Sequence, residues 1–297
     1  MATAFCPAHI TGFFKAELDK KDSKQLGSVG AGFSIQKGVK TTVTIRNKTK
    51  HDISNFTIKV NGFESGDMRV SEVVLNKFST KGKFVDIIHE IDVPVGYGFG
   101  SSAAVALSLS IALNDALECK LSKIKVAQIA HDVEIECKTG LGDVLASYYG
   151  GFEIRDKPGA PGIGHVQKIT LNKISIIMIC FSPISTSKFI KERLPRINGL
   201  GGKMVNKLLE SKNYEHFQEM SLEFAKYVDV MTPRMQKVVN ELSKNNIKCG
   251  IALFGETIFS MIPKENENKV LEILEKYSDG IIIKSELDDV GARVLYN

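Results

Sequence analysis

The stretch Pro94-Val95-Gly96-Tyr97-Gly98-Phe99-Gly100-Ser101-Ser102-Ala103-Ala104 sets three glycines at alternate positions, adds two hydroxyls, and runs directly into the apolar segment Val105 to Leu113. Glycines let a backbone approach an oxygen-rich ligand, the first N–H groups of a helix lack carbonyl partners, and the helix dipole favours negative charge there. Pro94, Gly96, Gly98, Gly100, Ser101, Ser102 and Ala103 therefore read as an anion cradle, with phosphate as its natural guest. A plain turn into a buried helix needs only one or two glycines and has less use for a serine pair.

Phosphoryl transfer also needs a divalent metal to bridge the phosphates and a carboxylate to take or orient the acceptor's proton. The segment Ala130-His131-Asp132-Val133-Glu134-Ile135-Glu136, followed by Thr139-Gly140-Leu141-Gly142-Asp143, offers both. Glu134 and Glu136 are two apart, so on a helix they point about 200° apart and only one can face a site. Magnesium takes few protein ligands beside phosphate and water, so one carboxylate plus one serine hydroxyl suffices. Asp143 stands in a glycine-rich turn where a carboxylate can approach a ligand; an equal reading makes it the N-cap of a short helix from Val144 to Tyr149.

Two other phosphate motifs are excluded. A Walker A loop requires a hydroxyl after Gly-Lys, but Gly82-Lys83 precedes Phe84 and Gly202-Lys203 precedes Met204. Gly98 to Ala103 fits the dinucleotide pattern G-x-G-x-x-A, with Glu118 about 20 residues on. Residues 114–120, however, are mixed and polar where that fold needs the end of a second strand.

The elements that must position these residues follow from periodicity. Thr41 to Arg46 and Phe56 to Val60 alternate as strands, Phe84 to Val93 leads toward the loop as a third, and helices are expected over 101–117 and 122–138, the latter with Ile124, Ala127, Ile129, Ala130 and Val133 on its apolar stripe. Glycines cluster from Gly140 to Gly164 and mark the clearest boundary. Beyond it, Ile174 to Phe181 reads as a buried strand, and 187–246 as mostly helical with breaks near Pro195, Gly199 to Gly202, and Pro233. Strands over 248–254, 257–262, 280–285 and 291–296, with a helix at 265–277, complete an irregular interleaving that points to an α+β fold.

The 297 residues are 43% apolar and 25% charged, an ordinary globular composition able to bury a substantial core in one large or two moderate domains. The net charge of +5 is spread rather than clustered with aromatic residues, so nucleic-acid binding is not indicated, while small anionic substrates are compatible with it. Five widely spaced cysteines without a C-x-x-C pair read as reduced core thiols. No apolar run approaches the ~20 residues of a membrane span, and the expected location is cytoplasmic. A homodimer is compatible with the sequence but not specified by it.

The loop Pro94 to Ala104 resembles the central motif of the GHMP kinases, the superfamily of galactokinase, homoserine kinase, mevalonate kinase and phosphomevalonate kinase, usually written P-x-x-x-G-L-G-S-S-A-A. Phe99 replaces the usual leucine. Glu134 to Asp143 resembles the region that in mevalonate kinase carries the magnesium glutamate and catalytic aspartate; Gly150-Gly151 matches the glycine pair that follows, and Cys249 to Phe259 fits a worn version of the third motif. The opening Phe5-Cys6-Pro7-Ala8-His9-Ile10-Thr11-Gly12-Phe13-Phe14 resembles the P-[GA]-H-I-T-G-F-F start of the archaeal pantoate kinase branch. Most other members carry arginine or lysine where His9 stands.

The resemblance implies an α+β, two-domain GHMP kinase fold: a ribosomal-protein domain 2-like domain over 1–160 and a ferredoxin-like domain over 161–297, with ATP and acceptor in the cleft between them. It implies ATP-dependent phosphorylation of the C4 hydroxyl of (R)-pantoate, a step toward coenzyme A, with ATP and Mg²⁺ as cofactors. Ser102 and Glu134 would hold magnesium, Asp143 would accept or orient the acceptor proton, and His9 would lie near Asp143 or contact pantoate. A neutral histidine at position 9 would stabilise an ionised Asp143 less than a lysine would. Thr11, Ser185, Thr186, Lys188 and Arg193 supply hydroxyls and cations for a substrate carboxylate, although such charge runs are also the mark of a solvated helix face. The alternatives are a homoserine, shikimate or mevalonate kinase of the same superfamily, a non-kinase synthase, or a nucleotide-dependent sensor. The joint presence of Ser102, Glu134 and Asp143 argues against the sensor.

Overall fold

In the computed structural model, which describes residues 1–63 and 66–296, two sheets meet along a cluster of phenylalanines. The first half of the chain forms β1 (Ala2–Glu17), β2 (Gly27–Asn47), β3 (Phe56–Gly62), α1 (Arg69–Asn76), β4 (Lys83–Ile91), α2 (Ser101–Ala116), α3 (Lys123–Cys137), α4 (Asp143–Tyr149), β5 (Phe152–Lys157) and β6 (His165–Ile169). The second half forms β7 (Ile174–Pro183), α5 (Thr186–Ser211), α6 (Tyr214–Tyr227), α7 (Pro233–Lys244), β8 (Gly250–Ala252), β9 (Gly255–Pro263), α8 (Glu267–Leu274), β10 (Ile281–Glu286) and β11 (Arg293–Leu295).

The first sheet runs β11-β1-β2-β4-β3, and β5 and β6 join it along the early part of β2, which changes partner from β5 to β4 along its length. The second is antiparallel in the order β10-β7-β9-β8, the strand order of a ferredoxin-like unit, with α5 to α7 filling the first crossover and α8 the second. The two-domain α+β expectation is met. The domain boundary is not where the glycines suggested: Gly159 to Gly164 form the bend of the β5–β6 hairpin, and β11 returns to pair with β1. Strands 165–169 and 293–295 therefore belong to the first sheet, and the second begins at Ile174.

The phenylalanine cluster fixes the cleft. Phe33 of β2 meets Phe259 of β9 at 5.0 Å and Phe217 of α6 at 6.1 Å, and Phe152 of β5 meets Phe217 at 5.1 Å. Each such pair adds about 0.5–1.5 kcal/mol beyond burial and resists sliding of one sheet past the other.

Three local expectations are corrected. The helix expected to break near Pro195 and at Gly199 to Gly202 runs unbroken from Thr186 to Ser211 and ends at Lys212 in a left-handed cap; Gly201 is no breaker but a point of close packing, where a Cβ would lie 1.9 Å from the Phe14 carbonyl oxygen. Ile124 is exposed rather than part of the apolar stripe of α3, whose buried residues include Val126, Ala127, Ala130 and Val133. All five cysteines are free, but Cys119 is exposed and only the other four are core thiols.

Candidate active site

The loop before α2 is held from three sides. Phe99 O accepts from His9 N at 3.0 Å, Tyr97 O from the Thr257 hydroxyl at 2.8 Å, and Gly96 O from Ile184 N at 2.9 Å. No side chain caps the N-terminus of α2, so its first amides remain open toward a cavity of about 430 Å³. Gly98 and Gly100 have φ of +88° and +56°, and a Cβ would point inward, 2.4 Å from Leu253 O at position 98 and 3.3 Å from the Asp143 Cβ at position 100. These two glycines are thus required by left-handed backbone and by packing beneath the loop, not by an approach of ligand over it.

Glu134 lies on the buried face of α3, while Glu136 is exposed and pairs with Lys77 at 2.7 Å, as two carboxylates two residues apart must divide. The Thr139 hydroxyl donates to Glu134 Oε1 at 2.5 Å, and Oε2, fully buried, has no partner. Burial pushes the Glu134 pKa up to about 7 against the hydrogen bonds from Thr139 and Ser102, with the Asp143 charge reinforcing the rise. Gly140 leaves the gap between the two acids: a Cβ there would sit 2.1 Å from Glu134 Oε2 and 3.1 Å from Asp143 Oδ2. An orphaned carboxylate oxygen facing a second acid and a serine is a setting that fits a hard cation.

Asp143 is the first residue of α4 and does not cap it; Gly142 occupies the capping position without a side-chain bond. The carboxylate is instead held by His9, whose Nδ1 lies 2.8 Å from Asp143 Oδ1. On the other edge of the ring, Nε2 lies 2.8 Å from Glu153 Oε1, and the Arg155 guanidinium donates to that same oxygen. An imidazole can donate to two carboxylates only when both nitrogens carry hydrogen, so two ionised acids at 2.8 Å, one on each nitrogen, favour the protonated ring. Burial alone would lower the His9 pKa, but the bonds to Asp143 and Glu153 outweigh it and the net shift is upward. For Asp143, burial raises the pKa while the His9 bond and charge and the nearby Arg155 lower it, leaving it below the ordinary carboxylate value. Glu153 thus offsets the desolvation that would otherwise keep a histidine at position 9 neutral.

Local sequence explains the slot. Gly32 on β2 pairs with Thr11, two residues along β1 from His9, and a Cβ there would lie 2.5 Å from His9 Nε2. Glu153 and Arg155 on β5 are two residues apart and fully buried on one face, with Ile154 between them turned the other way.

Of the residues singled out from sequence, Thr11, Gly96, Gly98, Gly100, Ser101, Ser102, Asp143, Ser185 and Thr186 line one cavity. His9 sits beneath it, wholly buried, and touches Asp143 rather than anything that could enter. Lys188 lines an adjoining cavity with Lys138 and Lys191, largely in solvent. Arg193 is turned elsewhere: it donates to the carbonyls of Val228 and Asp229 and lies over the Phe189 ring, so it holds α5 to the end of α6. Four residues escaped the sequence reading. Arg69 and Lys138 line the phosphate cavity from the ends of α1 and α3, and Glu153 and Arg155 support His9. The acid-apolar-base alternation of Glu153-Ile154-Arg155 was a usable signal for the second pair; nothing local distinguishes the first.

A family model described as the GHMP kinases N terminal domain matches residues 68–151. The chain is 34% identical to a pantoate kinase of Methanocaldococcus jannaschii, over 91% of this chain and 96% of that one, and 28% identical to a pantoate kinase of Thermococcus kodakarensis over 91% of each. A solved structure described as a phosphotransferase related to the CoA biosynthesis pathway superposes with a TM-score of 0.87 at 27% identity, covering 98% and 97% of the two chains. A homoserine kinase from Cytophaga hutchinsonii, 18% identical with a TM-score of 0.68 over 99% and 97%, shares the fold. The opened helix terminus, the buried acid pair and a 34% identical relative spanning nearly the whole chain together place this protein in the GHMP kinase superfamily, in its pantoate kinase family.

Proposed function

We propose that this protein transfers the γ-phosphoryl group of ATP to the C4 hydroxyl of (R)-pantoate, giving 4-phosphopantoate and ADP on a route to coenzyme A. Family membership supports the activity. At atomic level the reading rests on one observation: Asp143, kept ionised by a buried imidazolium, stands beside the open first turn of α2 and across Gly140 from the unpartnered Glu134 oxygen.

In this reading the amides of Ser101 to Ala103, with Arg69 and Lys138, hold the phosphates, where helix dipole and cations act on the same charge. Ser102 and Glu134 would hold magnesium, since they offer hard oxygens, one of them a buried carboxylate oxygen without a partner. When bound, the ion neutralises phosphate charge. Asp143 accepts a hydrogen bond from the acceptor hydroxyl, aligns its oxygen for in-line attack, and receives the proton as the new O–P bond forms and the bond to the leaving ADP oxygen breaks. A carboxylate of lowered pKa is a weak base, so its main contribution is alignment, in keeping with a loose transition state in which the proton leaves late. Thr11, whose hydroxyl lies 3.5 Å from Asp143 Oδ1, and Thr186 flank the acceptor. The acceptor is a free small anion, and the free cysteines support a reducing, cytoplasmic setting.

ADP release measured with pantoate, pantothenate, homoserine, shikimate and mevalonate tests the assignment. Pantoate is expected to lead in kcat/KM by at least ~10²-fold, the scale set when a pocket is built to one substrate's groups. A higher kcat/KM with any other acceptor would overturn it.

A further inference from the structure

The turn between β8 and β9 carries an anomaly. Phe254 has φ of +69°, a region bulky side chains rarely enter, and the other non-glycine residues found there, such as Lys138, Asp229 and Asn246, are all polar or charged. Its neighbours keep it there. Phe14 meets the ring at a tilt, 5.6 Å away, and Phe189 meets it edge-on at 5.1 Å, while Leu253 N donates to Thr11 O and Gly255 packs under Tyr97 so closely that a Cβ would lie 2.2 Å from its carbonyl. A strained residue retained at a site is a reason to ask what its side chain does.

Phe254 lines two adjoining spaces, the phosphate cavity of about 430 Å³ and, beyond it, a recess of about 10 Å³ that is too small to take a methyl group. Thr11, Asp143 and Thr186 border both, so the recess opens where the acceptor hydroxyl must lie. Its apolar side is Phe14, Leu141, Ile190 and Phe254. Pantoate has a matching asymmetry: the carbon next to its reactive hydroxymethyl group carries two methyls, so a hydroxyl held at Asp143 leaves them to rest against Phe254 from the cavity side, at the mouth of the recess.

We propose that Phe254 is a specificity-determining residue, its ring held by Phe14 and Phe189 as the wall that receives the dimethyl carbon of the acceptor. The inference rests on the pantoate reading and names the group by which that substrate is selected. Homoserine, which lacks both methyls, leaves the wall uncovered.

The test compares pantoate with dihydroxybutanoate, the same molecule without the methyls, in the full-length enzyme and in Phe254→Gly and Phe254→Leu. Wild type is expected to prefer pantoate by on the order of 10²-fold in kcat/KM, the scale for one or two apolar carbons in a fitted pocket. Phe254→Gly suits the left-handed backbone but gives up two ring contacts, so it is expected to fold with a cooperative melting transition several degrees below wild type. It should narrow the preference about tenfold through a higher KM for pantoate, with KM for ATP unmoved and dihydroxybutanoate little affected, and Phe254→Leu should retain more of the preference. An unchanged preference in Phe254→Gly, or equal losses for both acceptors together with a raised KM for ATP, overturns the inference and leaves the pantoate reading intact. Wild type that turns over other acceptors but not pantoate removes both.

Discussion

His9 Nε2 and Glu153 Oε1 lie 2.8 Å apart on the side of the imidazole ring away from the cleft, and this contact makes a histidine serve as a fixed cation under Asp143. A lysine or arginine at this position is charged unaided. A histidine in a buried site is not, unless a second carboxylate compensates for desolvation. Glu153 does so, and Arg155 keeps the group of two acids and two bases near neutrality.

Glu153→Gln should therefore alter the pH profile more than the fold of the site. With its second acceptor neutral, His9 loses its proton at lower pH, and Asp143, deprived of that charge, is protonated at higher pH. The sign follows from the two shifts: the raised His9 pKa contributes stability and charge present at low pH and lost as pH rises through it, and the lowered Asp143 pKa contributes what is lost as pH falls through it. Both limbs of the kcat profile are expected to move inward, with kcat at its optimum reduced roughly tenfold. Unmoved limbs would show that Glu153 is structural only.

Asp143→Asn keeps shape while removing the proton acceptor and should lower kcat by ~10²- to 10⁴-fold, with ATP and pantoate binding retained. His9 cannot replace it, since the ring is wholly buried and both nitrogens are engaged. His9→Gln should act through Asp143, so the double variant should be no slower than Asp143→Asn alone. Additive losses in single-turnover rates would contradict that order of action.

Much of this site was legible in the chain. The loop and α2 are local signals, glycines then apolar residues, and α3 separates Glu134 from Glu136 by geometry alone. The early part of β2 was not legible, because Gly27, Gly30, Gly32 and Gly38 dilute its alternation; the last three are dictated by close approach of β1 and Gly27 by Gly159 and Leu141, long-range causes with no local trace. The same distance hid the fate of Arg193. Its partners are the carbonyls of Val228 and Asp229, and no spacing within α5 says which of its cations will turn toward the cleft.

Glu134→Gln should abolish cation-dependent turnover, whereas Glu136→Gln, which removes only a surface pair with Lys77, should stay within about twofold of wild type. A second consequence is separable from activity. The folded-state pKa of about 7 exceeds the ordinary glutamate value, so the folded protein binds an extra proton between roughly pH 4.5 and 7 and loses stability as pH rises through that window. Without cation, Glu134→Gln should match wild type near pH 5 and exceed it by about 1–3 kcal/mol at pH 8, one pKa unit being ~1.4 kcal/mol. Denaturant unfolding at the two pH values checks this. Equal stability at pH 8 would mean that the Glu134 charge is already compensated inside the fold.

The glycines of the loop give the last expectation, and the structure changes its form. An alanine at position 100 would press on the Asp143 Cβ and the His9 carbonyl, not on a phosphate, and would do so from a left-handed backbone that costs about 1–2 kcal/mol. Gly100→Ala should thus lower kcat by displacing the carboxylate, with a smaller effect on KM for ATP, because misplacement by even 1 Å can cost ~10²-fold. Gly98→Ala meets the Leu253 carbonyl at 2.4 Å, where only backbone can yield, so the loop must separate from the β8–β9 turn. That variant should lose both nucleotide affinity and several degrees of melting temperature. Calorimetric titration of ATP beside steady-state rates distinguishes the two positions. A Gly100→Ala enzyme with normal kcat and weakened ATP binding would show that the side chain projects toward the phosphates after all.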